Sequence, residues 1–206
     1  MTTTRLEGYI ASNQTGKFPV TSTRGMNYLC IFYIHDSNFI KSIPIKSRQK
    51  GELHRAYEEV YQWCTQRGYK PKVHKLDNET SKEVEAFISE QQTKIQYTPF
   101  DMHQSNPAKR AIQTWKSCMK STLASLLPRF PIGYWCRLLA QIDLSVNIVR
   151  PCRINPRLSA WAAMEGEYHF SATPIAPPGS KMLMHENPGR RQTFGYNAKK
   201  SWYTGP

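Results

Sequence analysis

The spacing of apolar and polar residues changes along the chain and predicts strands first and helices later. An apolar run at residues 27–35 lacks the alternation of a half-exposed strand, which indicates a strand buried on both faces. Leu6 to Ser12 and Phe39 to Lys46 are strand candidates on either side of it, joined to it by turn-rich links. The first part of the chain is therefore predicted to form an antiparallel meander of three strands.

From Lys50 the period of the apolar residues becomes helical. Apolar positions at steps of three and four residues predict a helix that ends near Gly68, a residue suited to a helix C-terminus. Pro71 to Leu76 is a fourth strand, which a right-handed crossover places parallel to the first strand. A helix from Lys82 to Glu90 and a fifth strand from Lys94 to Thr98 follow.

A long basic helix begins at Pro107, because proline suits the first turn of a helix. Its predicted core stripe consists of Ala108, Ile112, Trp115, Met119, Leu123 and Leu126. By the same periodicity a second face carries Lys109, Gln113, Lys116 and Lys120. After prolines that end this helix, the pattern predicts a helix from Tyr134 to Val149 and a short one that ends near Met164.

This order of elements predicts an α/β fold of the RNase H-like type. Three antiparallel strands and two parallel additions would form a five-stranded mixed sheet flanked by helices. Residues 1–165 are assigned to this domain. Residues 166–206 are predicted to be a proline-rich connector and an extended tail with one strand candidate, Lys181 to His185.

The charge of the chain indicates a polyanionic partner. Its 206 residues include 28 Lys and Arg against 15 Asp and Glu, a formal net charge of +13. Nucleic acid is favoured over a membrane, because no basic amphipathic segment stands out and the longest apolar run, Tyr28 to Ile34, is too short to span a bilayer. A solvated basic surface is the alternative. The five widely spaced cysteines contain no CxxC pair, which fits an intracellular reducing compartment without specifying which one.

Several segments in the right order resemble the catalytic core of Ty1/copia-like retroelement integrases. The first is SNQTGKFPVTSTRGMNYL, where Asn13 stands at the position of the family's first catalytic Asp. The others are LDNE around Asp77, HQSNPAKRAIQTWK from His103 to Lys116, NIVRPCRINPRLSA from Asn147 to Ala160, TPIAPPG at 173–179 and SWYTGP at 201–206. The tail then corresponds to the beginning of the family's small C-terminal barrel.

The resemblance implies a catalytic triad of carboxylates, and two of its three positions differ here. Family members use two divalent cations, usually Mg²⁺, held by carboxylates. Only Asp77 is retained, since Asn13 and Lys109 occupy the other two positions. We therefore expect no catalysis, no metal site and no cofactor. Glu79 is interpreted as a solvated or capping residue, and the alternative is that it serves as a substitute metal ligand. Asp36 and Glu7 are further possible replacements for the lost carboxylates.

The resemblance also implies contacts to nucleic acid from the long helix and the loop before it. The candidate residues are Lys109, Arg110, Lys116, Lys120, His103 and Asn106. His103 and Asn106 have an alternative role, in which their hydrogen bonds stabilise the loop and they do not contact nucleic acid. The alternative for the lysines is a row that faces solvent. The tryptophans Trp63, Trp115, Trp135 and Trp161 lie on apolar helix faces, which indicates core packing rather than base stacking.

The sequence is interpreted as an integrase-core homologue that binds nucleic acid, DNA or RNA, without catalysis. A structural or scaffold subunit of a large protein or ribonucleoprotein assembly is the alternative, with the 166–206 tail as a contact for other proteins. An active integrase, with a metal site not recognised in the sequence, is the third possibility.

Overall fold

The computed structural model describes residues 7–76, 81–98, 107–191 and 194–206. These residues form seven strands and five α-helices, most of them close to the boundaries predicted. The strands are β1 (Tyr9–Gln14), β2 (Tyr28–Ile34), β3 (Phe39–Ile45), β4 (Val73–Leu76), β5 (Lys94–Tyr97), β6 (Lys181–His185) and β7 (Ala198–Trp202). The helices are α1 (Lys50–Gln66), α2 (Lys82–Glu90), α3 (Pro107–Ser125), α4 (Leu139–Ile148) and α5 (Ala160–Glu165).

The first five strands form one mixed sheet in the order β3-β2-β1-β4-β5. β1 pairs antiparallel with β2, and β2 pairs antiparallel with β3. β4 adds parallel to β1, and β5 adds parallel to β4. This confirms the predicted sheet of three antiparallel strands with two parallel additions.

Helices cover both faces of this sheet, and β2 is buried between them as its apolar run predicts. Alternate β2 residues such as Phe32 and Ile34 pack into a core with α1, α2 and α5. Their neighbours, such as Ile31 and Tyr33, pack into a second core with α3 and α4. Ala108 at the start of α3 packs against Tyr9 and Ala11 of β1. The start of α3 therefore lies over β1.

Two predicted boundaries are wrong. β1 extends from Tyr9 to Gln14 rather than from Leu6 to Ser12. Gly8 has a φ of +73°, a left-handed conformation that interrupts an extended strand, while pairing with β2 continues as far as Gln14. The predicted helix from Tyr134 to Val149 is instead a 3-10 helix, Ile132–Arg137, followed by α4. Its tighter turns bury both Trp135 and Cys136.

A buried carboxylate joins α3, α4 and the edge strand β3. Asp143 of α4 accepts hydrogen bonds from the Ser42 backbone N–H at 3.0 Å, the Ser42 hydroxyl at 2.7 Å and Trp115 Nε1 at 2.8 Å. Burial raises the pKa of this carboxyl, although the charge of Lys41 and these hydrogen bonds act to lower it. One turn later, Asn147 bonds both the N–H and the C=O of Ile40. These contacts satisfy polar groups along the outer edge of β3.

The tail contains a hairpin that lies partly on the second core. β6 pairs antiparallel with β7, a strand that the sequence analysis did not predict. Trp202 packs edge-on against Phe130, with ring centroids 5.5 Å apart, and Tyr203 Oη donates to Gln141 Oε1 at 3.2 Å. The division into a 1–165 domain and a separate 166–206 tail stays a prediction.

Two further findings concern the cysteines and the helices. All five cysteines are free, and Cys118 alone is more than slightly exposed. Within the described part of the chain, no helix has the length and apolar character needed to cross a membrane.

A buried polar network connects β1, β4 and α1 on the face opposite α3. His74 of β4 has no exposed surface. Its Nε2 lies 2.9 Å from the Ser12 hydroxyl and its Nδ1 lies 2.9 Å from the Tyr61 hydroxyl. Ser12 Oγ is also 2.7 Å from the Tyr57 hydroxyl. Burial lowers the pKa of His74 from its ordinary 6.5 to about 3, so the ring is neutral in the folded protein at physiological pH.

The neutral state of His74 predicts a specific loss of stability in acid. Below its ordinary pKa the unfolded chain binds a proton at His74 that the folded protein excludes, so the free energy of unfolding falls as pH decreases from 6.5 toward about 3. The stability advantage of the wild type over His74→Gln should shrink by about 2–3 kcal/mol between about pH 7 and about pH 4.5. Urea unfolding of both proteins measures this difference, and an advantage independent of pH would contradict it.

Candidate nucleic-acid interface

Asn13, the first predicted site residue, lies near the carboxyl end of β1. It pairs with Ile31 of β2 and lies two residues beyond Ala11, on the same face of the sheet. Because Ala11 contacts Ala108, this face is the one that α3 covers. The Asn13 side chain is half-buried, and its Oδ1 accepts a hydrogen bond from the Gln14 backbone N–H at 2.7 Å.

Asp77 and the two loop candidates lie outside the described residues. β4 ends at Leu76, at the same edge of the sheet as Asn13, because β4 runs parallel to β1. Asp77 follows Leu76 in sequence and is among the residues not described, as are Glu79, His103 and Asn106. Their predicted roles stay predictions.

Helix α3 presents a row of lysines on one flank. Ala108, Ile112 and Trp115 are buried, so α3 has a fixed rotation against the sheet. Lys109 is half-buried, and Gln113, Lys116 and Lys120 are exposed. They follow one another at steps of three and four residues and therefore share a flank. The ion pairs between described residues involve cations other than these lysines.

A groove runs beside this flank. It has a volume of about 430 Å³ and lies between α3 and the segment at residues 15–20 that follows β1. Lys17, Lys116 and Lys120 line it, and apolar side chains such as Phe18 and Met119 form much of its remaining wall. Sequence reasoning missed Lys17, because its position opposite α3 depends on a contact across about a hundred residues of chain. The groove thus combines three ammonium groups with an apolar wall.

Arg110 lies apart from this lysine row. Together with Pro107, Ala111 and Thr114 it lies on the other flank of α3. That flank borders a separate cleft, which also contains Arg150 and Arg153 from the segment after α4. The structure therefore divides the predicted basic surface into a lysine flank, defined as Lys109, Lys116 and Lys120, and an arginine cleft.

Asp36 and Glu7, the carboxylates considered above as replacement ligands, lie far from Asn13. The Asp36 carboxylate accepts hydrogen bonds from the Gly8 N–H at 2.6 Å and the Tyr69 hydroxyl at 3.1 Å. Gly8 precedes β1, so it lies about 15 Å along the strand from Asn13. Glu7 precedes Gly8 and pairs with Lys72 at 3.9 Å. Both carboxylates therefore lie at the opposite end of β1.

The tryptophans occupy the core, as their positions on apolar helix faces predict. Trp115 and Trp135 are buried, and their indole N–H groups donate to Asp143 and to the carbonyl of Val20. Trp63 is 9% exposed, and Trp161 packs partly buried against the core. Base stacking on Trp115 or Trp135 is excluded in this conformation, because neither ring is accessible.

The described residues do not provide a carboxylate-rich site. No group of three or more His, Cys, Asp and Glu side chains within residues 7–76, 81–98, 107–191 and 194–206 could hold a metal ion. At the two ligand positions that the sequence resemblance predicts, Asn13 supplies a neutral amide and Lys109 an ammonium. An ammonium repels a divalent cation and has no lone pair to donate, so these two side chains do not fit a pair of Mg²⁺ ions.

Comparisons with known proteins relate the fold to retroviral integrases. No protein-family model matches the chain, and no curated protein matches it. A chain of the simian T-cell lymphotropic virus intasome in complex with PP2A regulatory subunit B56 gamma matches with a TM-score of 0.59 and 12% identity, over 94% of this chain and 68% of that one.

Two isolated catalytic cores match over most of their own length. The HTLV-2 integrase catalytic core domain in complex with magnesium has a TM-score of 0.55 and 14% identity, over 79% of this chain and 99% of that one. The catalytic core domain of BIV integrase has a TM-score of 0.54 and 11% identity, and the match covers 77% of this chain and 93% of that one. The chain therefore has the RNase H-like fold of retroviral integrase catalytic cores.

Proposed function

We propose that this protein is a retroelement-derived integrase-core homologue of the Ty1/copia-like branch that binds nucleic acid without metal-dependent catalysis. The observation that carries the proposal is the lysine flank of α3, which borders a groove beside β1, the strand that carries Asn13. One member of this flank, Lys109, stands at a position where, by the resemblance, an active core carries a carboxylate.

The dimensions of the lysine flank suit a phosphate backbone. Lys109 and Lys120 are separated by about 16 Å along the helix, at 1.5 Å per residue. That length covers roughly five phosphates of one strand in a B-form duplex. Lys17 on the opposite wall of the groove adds a fourth ammonium group. Binding of this kind gains free energy from the release of counterions and does not depend on base sequence.

The loss of metal chemistry follows from the charges at the three family positions. Asn13 is neutral, and Lys109 carries a positive charge in place of a negative one. Two-metal catalysis clamps the attacking and leaving oxygens between cations that several carboxylates hold. The sequence predicts that the Lys109 ammonium turns toward the Asp77 carboxylate in place of a cation. The rival arrangement has Lys109 directed outward, in line with Lys116 and Lys120. In the first arrangement Lys17, Lys116 and Lys120 contact phosphates, and in the second Lys109 joins them.

A protein partner is the second candidate function, and the hairpin supports it. Leu183 and Met184 of β6 are 70% and 52% exposed. In the segment between the strands, Phe194 is fully exposed and Tyr196 is 90% exposed. Apolar side chains exposed together in a two-stranded sheet favour contact with another molecule. One of the similar chains comes from an intasome in complex with PP2A regulatory subunit B56 gamma.

Nucleic-acid binding should depend on the lysine flank and on salt. We expect the logarithm of the association constant to fall linearly with the logarithm of salt concentration, and Lys116→Gln with Lys120→Gln should reduce the slope by about 1.4–1.8 if each lysine engages one phosphate. Fluorescence anisotropy of a labelled oligonucleotide over a salt series measures this slope.

The matched control is Lys82→Gln with Lys94→Gln, which removes two exposed lysines from α2 and β5. Its salt slope should stay close to that of the wild type. Equal slopes for the two double variants would place the contact elsewhere on the surface. If the wild type does not bind at low salt, the proposal is wrong and the protein-partner function is favoured.

Catalysis should be absent from the isolated protein. With Mg²⁺ or Mn²⁺ we expect no cleavage or joining of DNA substrates, because two of the three carboxylate positions lack a carboxylate. Asn13→Asp combined with Lys109→Glu restores those carboxylates, and it should bind Mn²⁺ more tightly than the wild type in calorimetry. Strand transfer by the unmodified protein, abolished by Asp77→Ala, would contradict the predicted loss of chemistry.

A further inference from the structure

The arginine cleft is a concave site of about 450 Å³ on the flank of α3 opposite the lysine flank. The end of β2, the start of α3 and the segment after α4 form its walls. Its polar lining consists of Tyr33, His35, Arg110, Thr114, Arg150 and Arg153. Among the described residues that line it there is no carboxylate. Its volume lies within the range typical of small-ligand sites.

Hydrogen bonds hold two of the arginines in place. Arg150 donates from Nε to the Asn38 carbonyl at 3.0 Å and from Nη2 to the Asn38 side-chain oxygen. Arg153 donates from Nε to the Tyr33 hydroxyl at 2.8 Å, and that hydroxyl donates to Asn38 Oδ1 at 2.9 Å. A guanidinium carries five N–H donors, so both arginines retain further donors for a ligand.

The backbone around the arginines is also fixed. The carbonyl of Asp36, in the turn between β2 and β3, accepts hydrogen bonds from the N–H groups of Arg153 at 3.1 Å and Ile154 at 3.2 Å. Ala160 N–H donates to the Arg150 carbonyl at 2.7 Å, which ties this segment to the start of α5. Because these hydrogen bonds fix the backbone that carries Arg150 and Arg153, little ordering is needed when a ligand binds.

The positive charges in the cleft lie close enough together to affect one another. Burial lowers the pKa of Arg150, and the nearby Arg153 charge contributes in the same direction. Burial and the Arg153 charge also lower the pKa of His35. The Asp36 carboxylate acts in the opposite direction, and its Oδ1 lies 3.9 Å from His35 Nδ1. The other oxygen of Asp36 accepts the Gly8 N–H and the Tyr69 hydroxyl. The single negative charge of Asp36 offsets only part of the charge of the three guanidinium groups.

We infer that the arginine cleft binds a phosphate group, at a site separate from the lysine flank. Three guanidinium groups match the several oxygens of a phosphate better than those of a single carboxylate, and arginine binds phosphate through paired, parallel hydrogen bonds. The Thr114 hydroxyl lies at the same wall of the cleft. The phosphate belongs either to a small phosphate ester or to a phosphodiester backbone. This inference does not depend on the proposed nucleic-acid contact.

His35 provides a direct readout, because it lies in the cleft beside Arg153. Inorganic phosphate is titrated into the full chain at constant ionic strength and neutral pH, in exchange for chloride, while the imidazole signals of His35 are followed by NMR. We expect a saturable shift. In Arg110→Gln with Arg153→Gln, phosphate should bind at least about tenfold more weakly, since two of three guanidinium groups are removed. Arg150 is left intact because it holds Asn38.

Two comparisons separate this site from the lysine flank and from general effects of salt. Lys116→Gln with Lys120→Gln removes the same charge from the opposite flank of α3, so its His35 shift should match the wild type. Urea unfolding of each variant shows that it is folded. If the wild-type shift does not saturate, or if the arginine variant shows the same shift as the wild type, the inference is wrong.

Oligonucleotide probes identify the source of the phosphate. A short single strand without terminal phosphates and the same strand with a 5′-phosphate are each added to the phosphate-bound protein. Displacement of inorganic phosphate by both strands indicates a phosphodiester site, and displacement by the 5′-phosphorylated strand alone indicates a monoester site. Displacement by neither leaves inorganic phosphate and small esters as the ligands. Each result supports a phosphate site only if the arginine variant also weakens the binding of inorganic phosphate.

Discussion

The lysine flank and the arginine cleft both depend on the hydrogen bonds of one buried carboxylate, that of Asp143. It joins α3 through Trp115, α4 through its own backbone, and the edge strand β3 through Ser42. An isolated buried carboxylate would be costly, and three hydrogen bonds together with Lys41 offset that cost. Since Trp115 lies in the middle of α3, its bond to Asp143 fixes the rotation of the helix about its axis.

The rotation of α3 determines which side chains reach each flank. With Ala108, Ile112 and Trp115 directed into the core, the lysines lie toward the groove beside β1, and Arg110 lies toward Arg150 and Arg153. The two flanks carry different chemistry. Lysine is a flexible point charge suited to a phosphate backbone of variable position, whereas fixed guanidinium groups suit one phosphate in a defined geometry.

Most of the fold could be predicted because each element carries its own periodicity. The continuous apolar run of β2 and the three-and-four spacing of α1 and α3 are local signals, and the lysine flank follows from the same helical spacing. The 3-10 helix Ile132–Arg137 was missed, because its buried Trp135 and Cys136 also fit the stripe of a longer α-helix. β7 was missed, since it is a strand only through its pairing with β6.

The candidate site was predictable only in part, for a different reason. Lys109, Lys116 and Lys120 share one helix, so their proximity can be derived from sequence. The arginine cleft brings Tyr33 of β2 together with Arg153, 120 positions away, and no local pattern specifies that contact. Lys17 reaches the groove in the same way, through a loop whose position is set by tertiary packing.

The central claim is that nucleic acid lies along the lysine flank of α3. Ultraviolet crosslinking of the unmodified protein to an oligonucleotide that carries iodouridine, followed by peptide mapping, tests this claim most directly. Our account predicts crosslinks in residues 107–125 and in residues 15–20, the two walls of the groove. Crosslinks confined to the hairpin at residues 181–202, which carries Lys181, Lys199 and Lys200, would contradict it.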